Sequence, residues 1–302
     1  MFLVIDIGGT YLKYGLATID GEIVQHSKVK TPKANYQALI EQIVAIYNGL
    51  NVQIKGLAIS VPGTVDTKAG QIFYGGALPY LHKQNMKNDL AERLATHVSI
   101  ENDGKCAALA EYWQGATAGY SDSIVLVFGT GVGGGIIVND RLLRGAHLGA
   151  GELSFVVDRY PHNEKRARMV GRSCSATQMV NQIAMQKGLP ENAGEMVFDY
   201  INKGDHEALE LFKIYCSHIA VQILNLQYIL DPNIIAIGGG ISEQPIFIEE
   251  IIKQIEVVKQ ASEFSIANPK VIPCKFKNKA NLVGALYQHL LEYQGLVMAE
   301  KD

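Results

Sequence analysis

Cysteine is scarce in this sequence, and its few residues suit neither a metal site nor a disulfide framework. Cys106, Cys174, Cys216 and Cys274 are spread over 302 residues and form no C-x-x-C pair. That spacing excludes zinc fingers and small disulfide-stabilised folds. We therefore predict reduced, buried thiols and no zinc site.

An excess of positive charge and a long apolar run are also missing. The 27 Lys and Arg residues against 30 Asp and Glu residues give a formal net charge of −3. No segment reaches the roughly 18 apolar residues that a membrane helix needs, and no basic residues precede the first apolar run. We expect a cytoplasmic protein with no nucleic-acid partner and no membrane partner.

One succession of features occurs twice along the chain. A short β-rich run, a glycine turn, a second β-rich run and a two-residue hairpin turn occupy residues 2–21, and the same order returns over 124–140. With 48% hydrophobic residues, 302 residues are enough for two globular domains. The repeat predicts that these domains share one topology.

Each copy continues into a helix and a buried strand. Apolar residues at helical spacing predict helices over 36–50 and 209–229, followed by strands over 56–61 and 233–237. The face of the second helix consists of Leu209, Phe212, Tyr215, Ile219, Ile223, Leu226 and Ile229. We predict an α/β protein with two similar domains around a cleft, 1–118 and 119–302, and a helix of about 280–293 that packs back on the first.

The first glycine turn carries groups that suit a nucleotide phosphate. Asp6 ends a strand and can hold hydrated magnesium, and Gly8 and Gly9 let backbone N–H groups approach an oxyanion. The Thr10 hydroxyl can donate to a phosphate oxygen, and Lys13 adds positive charge. The alternative is an ordinary hairpin bend with a solvated Asp.

The second glycine turn repeats this arrangement with Thr130, Gly131 and Gly133. Paired turns in a duplicated chain favour a triphosphate held from both sides. Both turns lead into a strand, whereas the dinucleotide-binding motif opens a helix. A third cluster, at Gly239 and Gly240, offers flat backbone for an adenine or ribose, or is simply a loop that leads into a helix.

A candidate general base follows the strand that ends near residue 101. Asn102 and Asp103 precede a run of good helix formers, so one of them is expected to cap that helix. The helix dipole favours the ionised carboxylate there, and a general base contributes about 10²–10⁴ in rate. Asp103 is our candidate base, and a purely structural cap is the alternative.

These motifs together resemble the ROK (repressor, open reading frame, kinase) family of sugar kinases, over nearly the whole chain. The matching segments, in family order, are Asp6–Thr10, Val61–Gly63, Glu101–Asp103, Gly129–Gly133, Gly149–Glu152 and Ile237–Gly240. The resemblance implies an actin-like (ribonuclease H-like) fold, ATP with magnesium, transfer to a sugar hydroxyl, domain closure and commonly a homodimer. It also implies that Asn102 and Asp103 bind sugar hydroxyls, with Asp103 as the base, and that Gly63 and Glu152 line the acceptor pocket.

Departures from the family pattern bear on the acceptor sugar. The zinc-binding histidine is replaced by Phe155, the cysteine cluster is absent, and a family asparagine is replaced by Ala77. An apolar platform such as Phe155, Tyr74 or Tyr80 could stack on a sugar ring, unless these aromatics belong to the core. This predicts a looser pocket for a β-glucoside such as cellobiose, as well as or instead of free glucose.

The sequence therefore predicts an ATP-dependent carbohydrate kinase acting on the 6-hydroxyl of a glucose unit. A kinase for fructose or an N-acetylated hexosamine is the alternative within the same chemistry. A sugar-sensing regulator is the alternative of another class; we favour it less because the first glycine turn begins at Asp6, with no DNA-binding segment ahead of it. The acceptor's identity and anomer, the nucleotide preference and the assembly state stay open.

Overall fold

Strands and helices follow each other along the chain in the manner of an α/β protein. The computed structural model describes residues 1–160, 162, 166–262 and 266–299. The strands are β1 (Phe2–Ile7), β2 (Tyr11–Ala17), β3 (Ile23–Lys30), β4 (Leu57–Val61), β5 (Thr64–Asp66), β6 (Gln71–Phe73), β7 (Val98–Asn102), β8 (Ser123–Phe128), β9 (Val132–Val138), β10 (Arg141–Leu142), β11 (Val157–Arg159), β12 (Arg168–Met169), β13 (Ile234–Gly238) and β14 (Val271–Pro273). The α-helices are α1 (Tyr36–Asn48), α2 (Met86–Leu94), α3 (Asp103–Gln114), α4 (Val170–Ser173), α5 (Ala176–Gln186), α6 (Gly194–Asn202), α7 (His206–Leu230), α8 (Pro245–Gln260) and α9 (Ala280–Ala299).

Contacts divide the chain into two compact units. Unit 1 comprises Met1–Gln114, Arg144–Ala150 and the described residues from Lys279 onward. Unit 2 comprises Gly115–Leu143 and Gly151–Asn278. The domain bounds given above, 1–118 and 119–302, stay a prediction.

The central sheets of the two units have the same topology. In unit 1 the order is β3-β2-β1-β4-β7, an antiparallel meander that continues into parallel β4 and β7. In unit 2 the order is β10-β9-β8-β13-β14, again with an antiparallel meander and two parallel strands. The predicted α/β class and the predicted duplication are confirmed.

Helices bury their apolar faces against these sheets. In unit 1, α1 contributes Leu39 and Ile43 to the core, both fully buried. In unit 2, α7 buries Phe212, Ile219 and Ile223. Ile229, which continues the apolar spacing of α7, is instead 74% exposed, whereas Leu226 and Leu230 in the last turns of the helix pack against the core.

Helix α9 packs in unit 1 against α3 and the central sheet, where Leu282 and Leu286 are buried beside Val4 and Cys106. The cysteines form no disulfide; Cys106, Cys174 and Cys216 are buried and Cys274 is partly exposed. Within the described residues, no helix has both the length and the apolar character for a membrane span.

Candidate active site

The carboxyl ends of three parallel strands bring most of the predicted unit 1 site residues to one sheet edge. Asp6 at the end of β1 lies beside Ser60 of β4, which lies beside Glu101 of β7. Val61 pairs in turn with Asn102, the last residue of β7. Ligand sites of open α/β sheets form where such strand ends meet.

Asp6 is buried, and its carboxylate is oriented by three side chains. Its Oδ1 accepts hydrogen bonds from Ser60 Oγ and Asn281 Nδ2, both at 2.9 Å. Its Oδ2 lies 3.7 Å from Lys13 Nζ. Ser60 and Asn281 were not predicted, because strand register and the docking of α9 bring them to Asp6. Oδ1 of Asp6 is thus held by two neutral donors, and Oδ2 faces the ammonium group of Lys13.

The first glycine turn is fixed through its carbonyl groups. Thr31 Oγ1 donates to the Gly8 carbonyl at 2.7 Å, and Lys33 Nζ donates to the Gly9 carbonyl. The Gly8 N–H donates to the Tyr11 carbonyl at 3.0 Å, as in a hairpin turn. Thr10 is exposed at the tip of this turn, where its hydroxyl can reach a ligand.

Asn102 links the candidate base to the acceptor loop. Its Nδ2 donates to the Gly63 carbonyl at 2.9 Å and to Asp103 Oδ1 at 3.0 Å. Its Oδ1 accepts from the Lys105 N–H at 3.0 Å, so Asn102 caps α3. Gly63 has φ of +102°, a conformation that favours glycine. Asp103, half-buried, is therefore held at the first turn of α3.

A buried ion pair that the sequence analysis missed lies directly behind this site. Glu101 is 1% exposed, and its Oε2 accepts from Arg144 Nη2 at 2.6 Å and Nε at 3.2 Å. Its Oε1 accepts from the Asn102 N–H at 2.8 Å. Burial raises the pKa of Glu101, and the Arg144 charge opposes that rise. Arg144 thereby positions the strand end that carries Asn102.

The second glycine turn, in unit 2, is held by a serine. Ser154 Oγ accepts from the Val132 N–H at 2.8 Å and donates to the Val132 carbonyl at 3.0 Å. The Gly129 carbonyl accepts from the Thr177 N–H at 3.3 Å, which ties the turn to the start of α5. Thr130 and Gly133 are exposed on this turn, and Gly131 is partly exposed.

The third glycine cluster lies at the same edge of the unit 2 sheet as this turn. Gly238 of β13 pairs with Val127 of β8, one residue before Phe128 ends that strand. Gly239 has φ of +95°, and a Cβ there would lie 2.1 Å from the Phe128 carbonyl oxygen. Only glycine allows the chain to pass this close to the Phe128 carbonyl. Gly239 and Gly240 therefore lie beside the second glycine turn.

The predicted acceptor residue Glu152 belongs to unit 2. It precedes a 3₁₀ helix, Leu153–Phe155, and its carbonyl accepts from the Phe155 N–H at 3.1 Å. Phe155 is 68% exposed, and Tyr74 is 77% exposed, so neither ring belongs to the core. Tyr80 is half-buried and donates to the Pro32 carbonyl at 2.6 Å.

The donor set around Asp6 fits magnesium better than zinc. Magnesium is commonly held by one or two carboxylates, with water and substrate phosphates completing its shell, and Asp6 supplies one such carboxylate. Zinc instead needs three or four His, Cys or carboxylate ligands. No group of three or more such side chains suited to a metal occurs within the described part of the chain.

The two sheets of identical strand order, each with a glycine turn after its first strand, define a two-domain protein with the actin-like ATPase fold. The ROK family model matches residues 2–290, and the chain belongs to the ROK family.

Similar proteins cover nearly all of the chain. A protein of Listeria monocytogenes named beta-glucoside kinase is 32% identical over 290 residues, which is 95% of this chain and 96% of that one. The structure of a ROK family protein from Streptococcus pneumoniae in complex with sucrose has a TM-score of 0.88 at 30% identity, covering 97% of this chain and 99% of that one. A ROK family glucokinase from Streptomyces griseus in complex with glucose and AMPPNP has a TM-score of 0.77 at 25% identity, covering 94% and 97%.

Proposed function

We propose that this protein transfers the γ-phosphoryl group of ATP to the 6-hydroxyl of a glucose unit, free or in a β-glucoside such as cellobiose. The broader statement, that the chain is a sugar kinase, rests on its family and on full-length relatives named as sugar kinases. The observation that carries the proposal is the meeting of Asp6, Gly63, Asn102 and Asp103 at one edge of the unit 1 sheet.

In the proposed reaction Asp103 is the general base. Asn102 Nδ2 and the Gly104 N–H both contact Asp103 Oδ1, at 3.0 and 2.8 Å. These contacts orient the carboxylate toward a sugar hydroxyl that Asn102 and Gly63 help to bind. The hydroxyl oxygen bonds to the γ-phosphorus, its proton passes to Asp103, and the bond to the β–γ bridging oxygen breaks to release ADP.

The glycine turns are proposed to bind the nucleotide. Thr10, with the backbone of Gly8 and Gly9, contacts phosphate oxygens, and Lys13 supplies positive charge. Thr130, Gly131 and Gly133 contact the phosphates from unit 2, and Gly239 and Gly240 receive the adenosine. Magnesium neutralises phosphate charge when bound, and Asp6 is the residue proposed to hold it through water.

The acceptor preference is proposed from polar groups that this chain lacks. A binding site that hydrogen-bonds a sugar hydroxyl rejects a sugar in which that hydroxyl is blocked, because the buried partner is left unpaired. With Phe155 and Ala77 in place of a histidine and an asparagine, that penalty is removed. The exposed Phe155 ring offers an apolar face to a second sugar ring, and Glu152 lines the same proposed pocket. The relative named beta-glucoside kinase supports this acceptor class.

The test is an acceptor screen with γ-labelled ATP and magnesium, followed by assignment of the phosphorylated carbon by NMR. Cellobiose and glucose are compared with fructose and N-acetylglucosamine. We expect kcat/KM to be highest for cellobiose or glucose, with phosphate on a 6-hydroxyl. A higher kcat/KM for fructose or N-acetylglucosamine would replace the proposed acceptor, and transfer to none of them would favour the sugar-sensing regulator.

We also propose that the protein is a homodimer, as its resemblance to the family implies, and that it acts in the cytoplasm. Light scattering after size-exclusion chromatography is expected to give twice the mass of the 33.0 kDa chain. A mass of one chain would contradict the dimer.

A further inference from the structure

Unit 2 contains a cavity of about 440 Å³ that the proposed reaction does not use. It is bounded by α4, α5 and α7 and by residues near β12. Its volume falls in the range of small-molecule sites, which is roughly 300–1,000 Å³. The proposed acceptor residues Gly63, Asn102 and Asp103 belong to unit 1 and do not line it.

The described residues that line this cavity give it net positive charge. Arg166, Arg168 and Arg172 line it and no Asp or Glu among them does. Arg168 Nε lies 3.6 Å from Asp158 Oδ2, so one arginine already has an acidic partner outside the lining. Arg172 is exposed and forms no ion pair within the described ranges. An anionic ligand at this wall would pair with Arg172.

A buried donor in the same lining, the Tyr215 hydroxyl, has no hydrogen-bond partner among the described residues. Tyr215 is 4% exposed, and its hydroxyl forms no hydrogen bond with any described residue. Burial raises the pKa of Tyr215 well above its ordinary value, so the hydroxyl stays protonated and able to donate. An unsatisfied buried hydroxyl is destabilising, and this one is closed to a water-sized molecule, so it can pair with a ligand only when a neighbouring side chain moves.

The other lining residues suit a polyhydroxylated ligand rather than an inorganic ion alone. Gln178 and Gln182 present exposed amides from one face of α5, which can pair with hydroxyl groups. Met179 and Leu211 add apolar surface to the wall. We propose that this cavity is a second binding site in unit 2 for a phosphate monoester of a sugar, with the phosphate at Arg172 and the sugar at the glutamines.

The cavity is connected to the second glycine turn through the start of α5. Ser175 lines the cavity, and its Oγ lies 3.5 Å from the Gly129 carbonyl oxygen. The same Oγ accepts from the Gln178 N–H at 3.2 Å and caps α5. A ligand that moves Ser175 therefore acts on a contact of the turn.

Calorimetric titration of the full chain with glucose 6-phosphate, without ATP, tests the inference. Arg172→Gln is compared with Arg141→Gln, which removes an exposed arginine of unit 2 that does not line the cavity. We expect Arg172→Gln to weaken binding about tenfold or more, and Arg141→Gln to leave it within about twofold. Free glucose, which lacks the phosphate, is expected to bind at least tenfold more weakly at this site.

Two further variants separate the cavity from the proposed acceptor site. Gln182→Glu places a negative charge on the cavity wall and is expected to weaken binding even if Arg172→Gln misfolds. Asp103→Leu removes both side-chain oxygens proposed to bind the acceptor hydroxyl, and it is expected to leave binding to the cavity unchanged. Equal affinity of the wild type, Arg172→Gln and Gln182→Glu would overturn the proposal, as would binding that only Asp103→Leu alters. Because no turnover is measured, this failure is distinct from failure of the kinase proposal.

Discussion

Removing Arg144 tests how the candidate active site is supported. Glu101 is 1% exposed, whereas the Arg144 side chain is 29% exposed, so Arg144→Gln leaves an unpaired carboxylate in the core. Breaking a buried ion pair in this way costs about 3–5 kcal/mol of unfolding free energy, and the partial exposure of Arg144 favours the lower end. About 3 kcal/mol corresponds to a fall in Tm of roughly 6–12 °C for a domain of this size.

The loss of stability in Arg144→Gln is expected to be larger at high pH than at low pH. Burial raises the pKa of Glu101, so the folded state binds its proton more tightly than the unfolded state does. Protonation of Glu101 therefore stabilises the folded protein below the pKa of the unfolded chain, and this stabilisation is lost as pH rises through the higher pKa of the folded state. Arg144→Gln removes the group that lowers this pKa, so we expect a larger loss of stability at pH 8 than at pH 5.

The assay is thermal unfolding at several pH values, with turnover measured in parallel. Arg93→Gln, which removes an exposed arginine of the same unit bonded to Gln37, is the control and should change stability by under about 1 kcal/mol. The double variant Glu101→Gln/Arg144→Gln is expected to lose the extra pH dependence. We also expect kcat to fall in Arg144→Gln, because Glu101 accepts the Asn102 N–H. A destabilisation equal at pH 5 and pH 8 would refute the reasoning.

Two other predictions concern the nucleotide side and the metal. Gly239→Ala is expected to lower the free energy of unfolding by about 1–3 kcal/mol and to raise KM for ATP, because a Cβ there would meet the Phe128 carbonyl oxygen and φ is +95°. Gly240→Ala, where a Cβ would meet nothing within 4 Å, is the control for stability. Equal unfolding free energies of the two variants would contradict this account of Gly239. Exhaustive chelation followed by added magnesium is expected to restore full activity, whereas a loss that only zinc repairs would contradict the prediction of no zinc site.

Much of the fold could be predicted because its signals are local. Apolar runs and glycine turns mark where β1, β8 and β13 lie and end, and the repeated order of these features predicts two similar units. The exact ends of helices depend on packing and capping: α1 ends at Asn48 rather than at residue 50, and α7 begins at His206 rather than at residue 209. Helical spacing also does not predict the exposure of Ile229, because Leu226 and Leu230 are the residues that face the core there.

Contacts between distant parts of the chain could not be predicted. The Ser60 and Asn281 bonds to Asp6 depend on strand register and on how α9 docks in unit 1. Arg144 pairs with Glu101 because a segment between two stretches of unit 2 belongs to unit 1. No local pattern around Arg144 predicts that this segment belongs to unit 1. The sequence thus predicts candidate chemical groups, and the tertiary fold selects their partners.

The most direct test of Asp103 as the base compares turnover and sugar binding in Asp103→Asn. The amide keeps the shape of the side chain but cannot accept the hydroxyl proton as a carboxylate does. We expect kcat to fall by about 10²–10⁴ while the dissociation constant of the acceptor changes little. Turnover close to that of the wild type would show that another group, or none, takes the proton.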